Sequence, residues 1–384
     1  MPTCPHFPRC GGCISLTTPY VEQLAKKQKH LEQLFGSLTD TIPPIIGSPQ
    51  TEYYRHKVQL PFRTGGKRSA MRPTLGCYAT DSHTVVDQHT CYIQDRDLST
   101  IAWTVREWAG KTGLPAYNER TGKGLLRHVV LRKGAGTGEV LIGLVTNGGR
   151  VDGSRNLVRR LLTMLEKKPL SGCTVAGIVQ SVNTRRTNVV LGTEEHIWWG
   201  RPYIKELLGA WRYKMELSTF FQVNPFQTPN LYNEVLRTIV PGSRVLDCYC
   251  GVGSIALWIS RTAERVRGIE ENHASVKAAR TAAKINGADN VQFTTGDAET
   301  ELCRGVTDGY SCVVVDPPRK GLTERSIAAV KHSGLDRVIY VSCNPRTLVR
   351  DVQLLRPEFR LSSLQGVDMF PHTAHIETVA VLER

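Results

Sequence analysis

The pattern of apolar and polar positions changes rhythm twice along the 384-residue chain. Residues 20–38, YVEQLAKKQKHLEQLFGSL, place Leu24, Leu31, Leu34 and Phe35 on one face at helical spacing, and PPIIGSP at 43–49 ends that helix. From about 53 to 200 the runs are short, apolar or alternating, and separated by Gly and Asn: KVQLPF, HVVLRKG, EVLIGLVTN, GIVQSVN and NVVLG. They predict a mainly β, α+β module with one helix, LVRRLLTMLEKK at 157–168. After about residue 210, strand, loop and helix alternate through SRVLDCYCGVGSIALWISR, VRGIEENHASVKAARTAAKING, VQFTTGD, SCVVVDPPRKG and RVIYVSCNP. Two last β segments flank DMFPHTAH. Such alternation predicts a doubly wound, mostly parallel α/β sheet. Ligands of such sheets sit beyond the carboxyl ends of the strands, where Tyr249, Glu270, Asp316 and Cys343 fall. The chain thus divides into an N-terminal segment with its helix at 1–52, a central domain at 53–205 and an α/β domain at 206–384.

Charge sharpens that division. The net charge is +14, and residues 1–200 hold 26 Lys and Arg against 15 Asp and Glu, whereas 201–384 hold 23 against 20. Arg55 with Lys57, Lys67-Arg68, Arg132-Lys133, Arg159-Arg160, Lys167-Lys168 and Arg185-Arg186 mark the first half. A basic half beside a nearly neutral one suggests a module that grips a polyanion joined to one that does chemistry; a solvated basic surface is the plainer alternative. No apolar run approaches the ~20 residues that span a bilayer, so no membrane partner is expected. The start, MPTCPHFPRCGG, lacks a charged-then-apolar leader, which points to the cytoplasm, where the 11 cysteines are expected as thiols, catalytic groups or metal ligands.

DCYCGVGSIA carries Gly251 and Gly253, which let backbone approach a ligand at a helix N-terminus. Glu270, 23 residues after Asp247, ends the next strand, at an offset that commonly serves ribose hydroxyls. Nicotinamide folds share both features. DPPR at 316–319 separates the cases: methyltransferases acting on amino groups and nucleobases place a rigid Asp-Pro-Pro turn over a planar base beside the methyl donor, so S-adenosylmethionine fits better than NAD. Cys343 alone could be packing, a metal ligand or a nucleophile. Uracil carbon-5 is a poor nucleophile, and a thiolate added to carbon-6 makes it reactive. That chemistry demands a low-pKa cysteine, an acceptor near the base, and a group that removes the carbon-5 proton. Cys343, Asp316 and Glu377 supply such a set.

DPPRKG, sixteen residues, then VIYVSCNPRT resembles the paired signature of the RNA uracil-5-methyltransferases, which make 5-methyluridine in tRNA and 23S rRNA. FFQVN, DCYCGVGS, GIEEN and HTAHIE resemble that family in the same order, so the resemblance covers essentially the whole chain. It implies a Rossmann-like class I S-adenosylmethionine-dependent methyltransferase domain beside a smaller basic α+β domain, with Cys343 as nucleophile and Glu377 as general base. Gln222, Tyr249, Ser254, Glu270, Asp297 and Asp316 would line the donor and base pocket. Tyr249 stands where the family often has Phe, Ser254 where it often has Asn or Gly, and Asp297 has a helix cap as its rival role.

Cys4, Cys10 and Cys13 form C-x5-C-x2-C, and either Cys77 or Cys91 offers a fourth thiolate. Four cysteines suit zinc or an iron–sulfur cluster equally. The rRNA-acting branch of the family resembles this arrangement, with three N-terminal cysteines and one after an SHxVVD stretch, which implies a [4Fe-4S] cluster on Cys4, Cys10, Cys13 and Cys91. Cys77, Cys173, Cys248, Cys250, Cys303 and Cys312 are expected in the core. The expected partner is therefore 23S rRNA rather than DNA, with uridine 747 as the target and uridine 1939 or tRNA as alternatives. A non-catalytic RNA-binding protein and an iron–sulfur or nicotinamide redox protein are the rivals from other classes. Intact Cys343, Glu377 and DPPR weigh against the former.

Overall fold

The computed structural model describes residues 4–64, 73–149, 151–303 and 309–384; the basic pair Lys67-Arg68 lies outside them. The chain forms two compact units, one of residues 1–17, 52–207 and 214–218, the other of 18–51, 208–213 and 219–384. The segment expected at 1–52 is therefore split, because its helix buries its apolar face in the second unit.

In the first unit a six-stranded sheet runs in the order β2-β1-β3-β4-β5-β6, with β1 Lys57–Arg63, β2 Thr74–Leu75, β3 Leu126–Lys133, β4 Glu139–Thr146, β5 Thr174–Val182 and β6 Glu194–Gly200. Only β4 and β5 pair in parallel, and helix α3 (Ser154–Glu166) makes their crossover. A second helix in this module, α2 (Arg96–Thr112), departs from the reading of a single helix. Its signals are local: Asp95 accepts a hydrogen bond from the Leu98 amide at 3.1 Å, and Gly113 leaves the helix at φ 70°. Leu98, Ile101, Val105 and Trp108 of α2 and Val158, Leu161 and Leu165 of α3 share one core with Val129, Leu131 and Ile142 of the sheet. NVVLG is not a strand. Val189 is exposed, and its carbonyl and that of Val190 accept from the Asn183 side chain, so the apolar run ends as loop and β6 begins at Glu194.

A two-stranded ribbon, β7 (Tyr203–Leu208) and β8 (Trp211–Glu216), follows. The second unit then carries a seven-stranded sheet in the order β11-β10-β9-β12-β13-β15-β14. Its strands are β9 Arg244–Cys248, β10 Arg265–Glu270, β11 Val291–Thr295, β12 Cys312–Val315, β13 Arg337–Ser342, β14 Arg360–Val367 and β15 Glu377–Glu383. All pair in parallel except β15, which runs antiparallel between β13 and β14. Helices α4 (Thr228–Thr238), α5 (Ser254–Ile259), α6 (His273–Asn286), α7 (Ala298–Cys303), α8 (Glu324–His332) and α9 (Pro345–Leu355) connect and flank the strands. The strand order reverses between β9 and β12, the switch point that opens a ligand crevice.

Helix α1 (Tyr20–Phe35) belongs to this unit. Leu31 and Phe35 are fully buried in the core that also holds Leu364, Ala380 and Leu382 of β14 and β15. Each stabilises the unit by about 1.5–3 kcal/mol relative to exposure. Among the described residues no helix is long and apolar enough to cross a membrane.

Candidate active site

The ends of four adjacent strands converge on one set of side chains. β9 runs into Tyr249, held in the left-handed region at φ 64°, and then into the loop with Gly251 and Gly253 at φ 54° and 76°. A Cβ on Gly253 would come within 2.3 Å of the Phe293 ring, so only glycine fits there. β10 ends on Glu270, whose carboxylate accepts from the Gly251 amide at 3.1 Å and the Asn272 amide at 2.8 Å. Glu270 thus folds the glycine loop. The Ser254 hydroxyl is 2.8 Å from the Tyr232 hydroxyl. Tyr249 reaches Ser326 at 3.3 Å. Gln222 lies half-buried in the loop before α4. Asp297 accepts from the Thr300 amide at 2.9 Å and its hydroxyl at 2.7 Å, which makes it the cap of α7 and holds its carboxyl below the usual range.

β12 ends at Asp316 and β13 at Ser342, immediately before Cys343. Ser342 pairs with Thr378 of antiparallel β15, so the residues one step past that pair, Cys343 and Glu377, stand opposite each other at the carboxyl end of β13. The Thr378 hydroxyl donates to the Ser342 carbonyl at 3.1 Å and fixes this alignment. Cys343 and Asp316 are half-buried, and Glu377 is 4 % exposed. Burial pushes the Asp316 carboxyl up to about 7. Burial and then Asp316 push Glu377 well above its ordinary value, with Arg319 pulling the other way. Burial, then Glu377, then Asp316 raise the Cys343 thiol to about 11, against Arg319. The expectation of a low-pKa cysteine is therefore reversed in the ligand-free protein. Two carboxyl groups share the thiol's buried pocket with one guanidinium, so proton loss there is costly until added positive charge offsets it.

Several contributors were not singled out from sequence. Arg319 donates to the imidazole of His375 at 3.4 Å, and its carbonyl accepts from the Asn344 side chain at 3.1 Å. Asp351, fully buried in α9, accepts from the Leu322 amide at 2.8 Å and the Tyr340 hydroxyl at 2.7 Å. Together they clamp the DPPRKG turn to the loop that bears Cys343. Asn224 of FFQVN accepts from the Phe226 and Gln227 amides and donates to the Met369 carbonyl at 3.0 Å. Asp247 is wholly buried, and burial, Asp316 and Glu270 hold its carboxyl well above the ordinary range; the Ala256 amide offsets only part of this. Arg319 stood inside DPPR, and Asp351 is the one acid on the apolar stripe Leu348, Val352 and Leu355.

Cys4, Cys10, Cys13, Cys77 and Cys91 lie in the first unit. Residues 9–11 pair with 78–80, through Gly11 N–H to the Tyr78 carbonyl at 2.9 Å and Thr80 N–H to the Arg9 carbonyl at 3.2 Å. Cys13 feels Cys91, Cys10 and Cys4 electrostatically, and they add to the burial that raises its thiol. Burial lifts Cys91 to about 11, while a hydrogen bond from Cys77 lowers Cys10 to about 7. The Gln88 side chain at 3.3 Å and the Gly12 amide at 3.4 Å also donate to the Cys10 sulfur. Among the described residues no three His, Cys, Asp or Glu side chains are arranged as a metal site. Cys77 packs partly buried against the first unit's core, beside Cys10, whereas Cys303 departs from its expected place in the core by being exposed.

The Asp316 shift carries a prediction. Below about pH 4 its carboxyl is protonated in folded and unfolded chains alike. Between its ordinary value of 3.8 and about 7 only the unfolded chain ionises, so the folded state loses stability as pH rises, and the full cost remains above 7. Asp316→Asn should therefore be more stable than wild type at pH 8 by about 1–3 kcal/mol, discounted for its partial exposure, and indistinguishable at pH 4. Denaturant titrations at both pH values check this; equal stability at pH 8 would refute it.

The strand order, with antiparallel β15 inserted between β13 and β14, is that of an S-adenosylmethionine-dependent methyltransferase fold, and the glycine loop after β9 and the acid ending β10 fit it. Residues 188–384 match the family described as tRNA (Uracil-5-)-methyltransferase. An RNA methyltransferase of Leptospira interrogans, described as uncharacterized, is 42% identical over 388 residues, covering 100% of this chain and 98% of the relative. One from Halalkalibacterium halodurans, likewise described, is 37% identical and covers 99% of this chain and 82% of its own. Among solved structures, the tRNA (uracil-54, C5)-methyltransferase of Pyrococcus abyssi in complex with S-adenosyl-L-homocysteine superposes with a TM-score of 0.78 at 28% identity, covering 98% of this chain and 86% of that one. The chain belongs to the tRNA (uracil-5-)-methyltransferase family, and it is an RNA methyltransferase that uses S-adenosylmethionine.

Proposed function

We propose that this enzyme methylates carbon-5 of a uridine in 23S rRNA, uridine 747 in the first instance, through a covalent bond to Cys343. The observation that carries the chemistry is the facing pair of Cys343 and Glu377, with Asp316 and Arg319 acting on both. Cys343 gives up its thiol proton to solvent and its sulfur bonds to carbon-6 of the flipped uracil, the carbon-5 to carbon-6 π pair opening to an enolate. S-adenosylmethionine supplies the methyl group to carbon-5 of that enolate and leaves as S-adenosylhomocysteine. Glu377 then takes the carbon-5 proton. The electrons of that bond restore the carbon-5 to carbon-6 double bond as the sulfur leaves. Asp316 and its Pro-Pro turn hold the base, and Gln222, Tyr249, Ser254, Glu270 and Asp297 belong to the donor pocket. Flipping the uridine out of its stack costs a few kcal/mol, which backbone contacts offset.

The rRNA assignment is supported by the cysteine set. Cys4, Cys10, Cys13 and Cys91 are chemically suited to a [4Fe-4S] cluster, and the amide donors at Cys10 are of the kind that tune cluster sulfurs. A cluster there would tie the N-terminal segment to the 77–91 loop, a structural role. The covalent reading is tested with 5-fluorouridine-substituted 23S fragments and tRNA in parallel. An adduct on one rRNA fragment is the expected result, and an adduct on tRNA alone would overturn the substrate assignment while keeping the chemistry.

RNA gripping falls to the first unit. A cleft of about 330 Å³ between α2 and α3 is lined by Lys111, Arg159 and Arg160 above Trp108 and Met164, with no acid among its lining residues. Reversing all three charges to Glu should weaken RNA binding at least ~10-fold and flatten the plot of log affinity against log salt by about 2–3 units. Filter binding at several salt concentrations measures both, and an unchanged slope would remove the cleft from the RNA footprint.

A further inference from the structure

We propose that Gln23 and Lys27 of α1, acting with Asp368, are positioning residues for proton abstraction by Glu377. The inference rests on the covalent reading of Cys343 and Glu377 given above. Glu377 opens β15, at the end of a loop that leaves β14 after Val367. A loop of this kind is ordinarily the most mobile part of a sheet. Here its backbone is pinned at successive points: the Asp368 amide donates to the Ile46 carbonyl at 2.9 Å, Asn224 to the Met369 carbonyl at 3.0 Å, Lys27 to the Phe370 carbonyl at 3.2 Å, and the His372 amide to the Gln23 side chain at 2.8 Å.

The side chains that do this, Gln23, Lys27 and Asn224, are buried and polar where apolar ones would suffice for docking. Lys27 is 6 % exposed and Asp368 fully buried, paired at 2.7 Å, and the Tyr20 hydroxyl donates to the other Asp368 oxygen at 2.9 Å. Gln23 Nε2 lies 3.1 Å from His372 Nδ1. Tyr20, Gln23 and Lys27 follow i, i+3, i+7 spacing, so they form one polar stripe along α1, continued by the apolar Leu31 and Phe35. A buried ion pair is a poor source of net stability but fixes geometry. His372 itself is in the left-handed region at φ 66°, a conformation held only where the surroundings impose it. From its other side β15 is set by the Thr378 to Ser342 hydrogen bond. Glu377 is thus held between the nucleophile's strand and the α1 stripe.

Its task comes late in the reaction. The carbon-5 proton passes to the Glu377 carboxylate, the electron pair re-forms the ring double bond, and the carbon-6 to sulfur bond breaks to release Cys343. A displaced carboxylate slows this step and leaves sulfur addition and methyl transfer intact.

The test uses the full-length protein, unsubstituted uridine RNA and denaturing gels after rapid quench, with variants Gln23→Ala, Lys27→Met and Tyr20→Phe and the exposed-site control Lys26→Ala. The expected result for the first three is a methylated RNA–protein adduct that accumulates. For them kcat falls about 10–100-fold and KM for RNA falls with it, so that kcat/KM stays within about twofold of wild type, because the steps up to methyl transfer are unchanged. Lys26→Ala should match wild type. Variants that fold, bind donor and resolve the adduct at the wild-type rate would overturn the proposal, as would a fall in kcat without adduct. Should Lys27→Met fail to fold, Gln23→Ala and Tyr20→Phe decide. A wild type that forms no adduct even with 5-fluorouridine RNA defeats the covalent reading, and this inference with it; an adduct there with unaffected variants defeats the positioning role alone.

Discussion

Cys343→Ala is expected to lower methyl transfer by on the order of 10⁴-fold or more, since removing a nucleophile deletes the whole covalent route. The same variant should form no denaturation-stable bond to 5-fluorouridine RNA. It should still bind S-adenosylmethionine within about twofold, because Tyr249 and Glu270, which we propose for the donor side, stand at the ends of β9 and β10, and β12 separates those strands from β13. The stability cost should be small, about 1 kcal/mol or less, as the thiol is half-buried and touches polar groups. Single-turnover transfer from labelled donor, read beside the adduct gel, separates these effects. Methylation persisting within tenfold of wild type would mean that carbon-5 is activated without sulfur.

Asp351→Ala should produce the largest loss of stability in the second unit, about 3–5 kcal/mol. The carboxylate satisfies the Leu322 amide and the Tyr340 hydroxyl, and both residues are buried, so its loss leaves two buried donors without their acceptor. Gly321 shows how tight the fit is: a Cβ there would come within 2.4 Å of Asp351 Oδ2. Asp351→Asn keeps the shape and one acceptor and should cost less than half as much. Because Asp351 ties the DPPRKG turn to the helix that follows Cys343, the Ala variant should also lose activity at temperatures below its own melting transition. Calorimetry paired with activity against temperature checks this; Ala and Asn variants both within 1 kcal/mol of wild type would refute it.

The α/β half was legible because buried parallel strands write themselves as apolar runs ending in Gly, an acid or Cys, and every such run from SRVLDC to RVIYVS is a strand. The first half was harder. α2 carries a helical stripe of Leu98, Ile101, Val105 and Trp108, yet sits among short β runs that set the expectation for its neighbourhood. NVVLG had the composition of a strand and lost to a side-chain amide, Asn183, that takes up its carbonyls. At the site, Tyr249, Glu270, Asp316 and Cys343 were expected at strand ends, and β9, β10, β12 and β13 do end at or just before them. The ones that hold the site, Asp351, Asn224 and Lys27, could not be read, because their partners lie far away in sequence or on another element. The direction of the Cys343 shift was missed for a related reason: the motif shows a thiol, and only the fold shows two carboxyls beside it.

The bond between Lys27 and Asp368 spans 341 positions of sequence. A ribosome adding about 5–20 residues per second needs roughly 20–70 s to travel that distance. Throughout that interval α1 has been made, but the strands and loop that bury Leu31, Phe35 and Lys27 have not. The second unit therefore cannot close cotranslationally around its first helix, and an amphipathic segment waits in the open until the last strands emerge. Chaperone dependence, and sensitivity of yield to elongation rate, should follow from that wait alone.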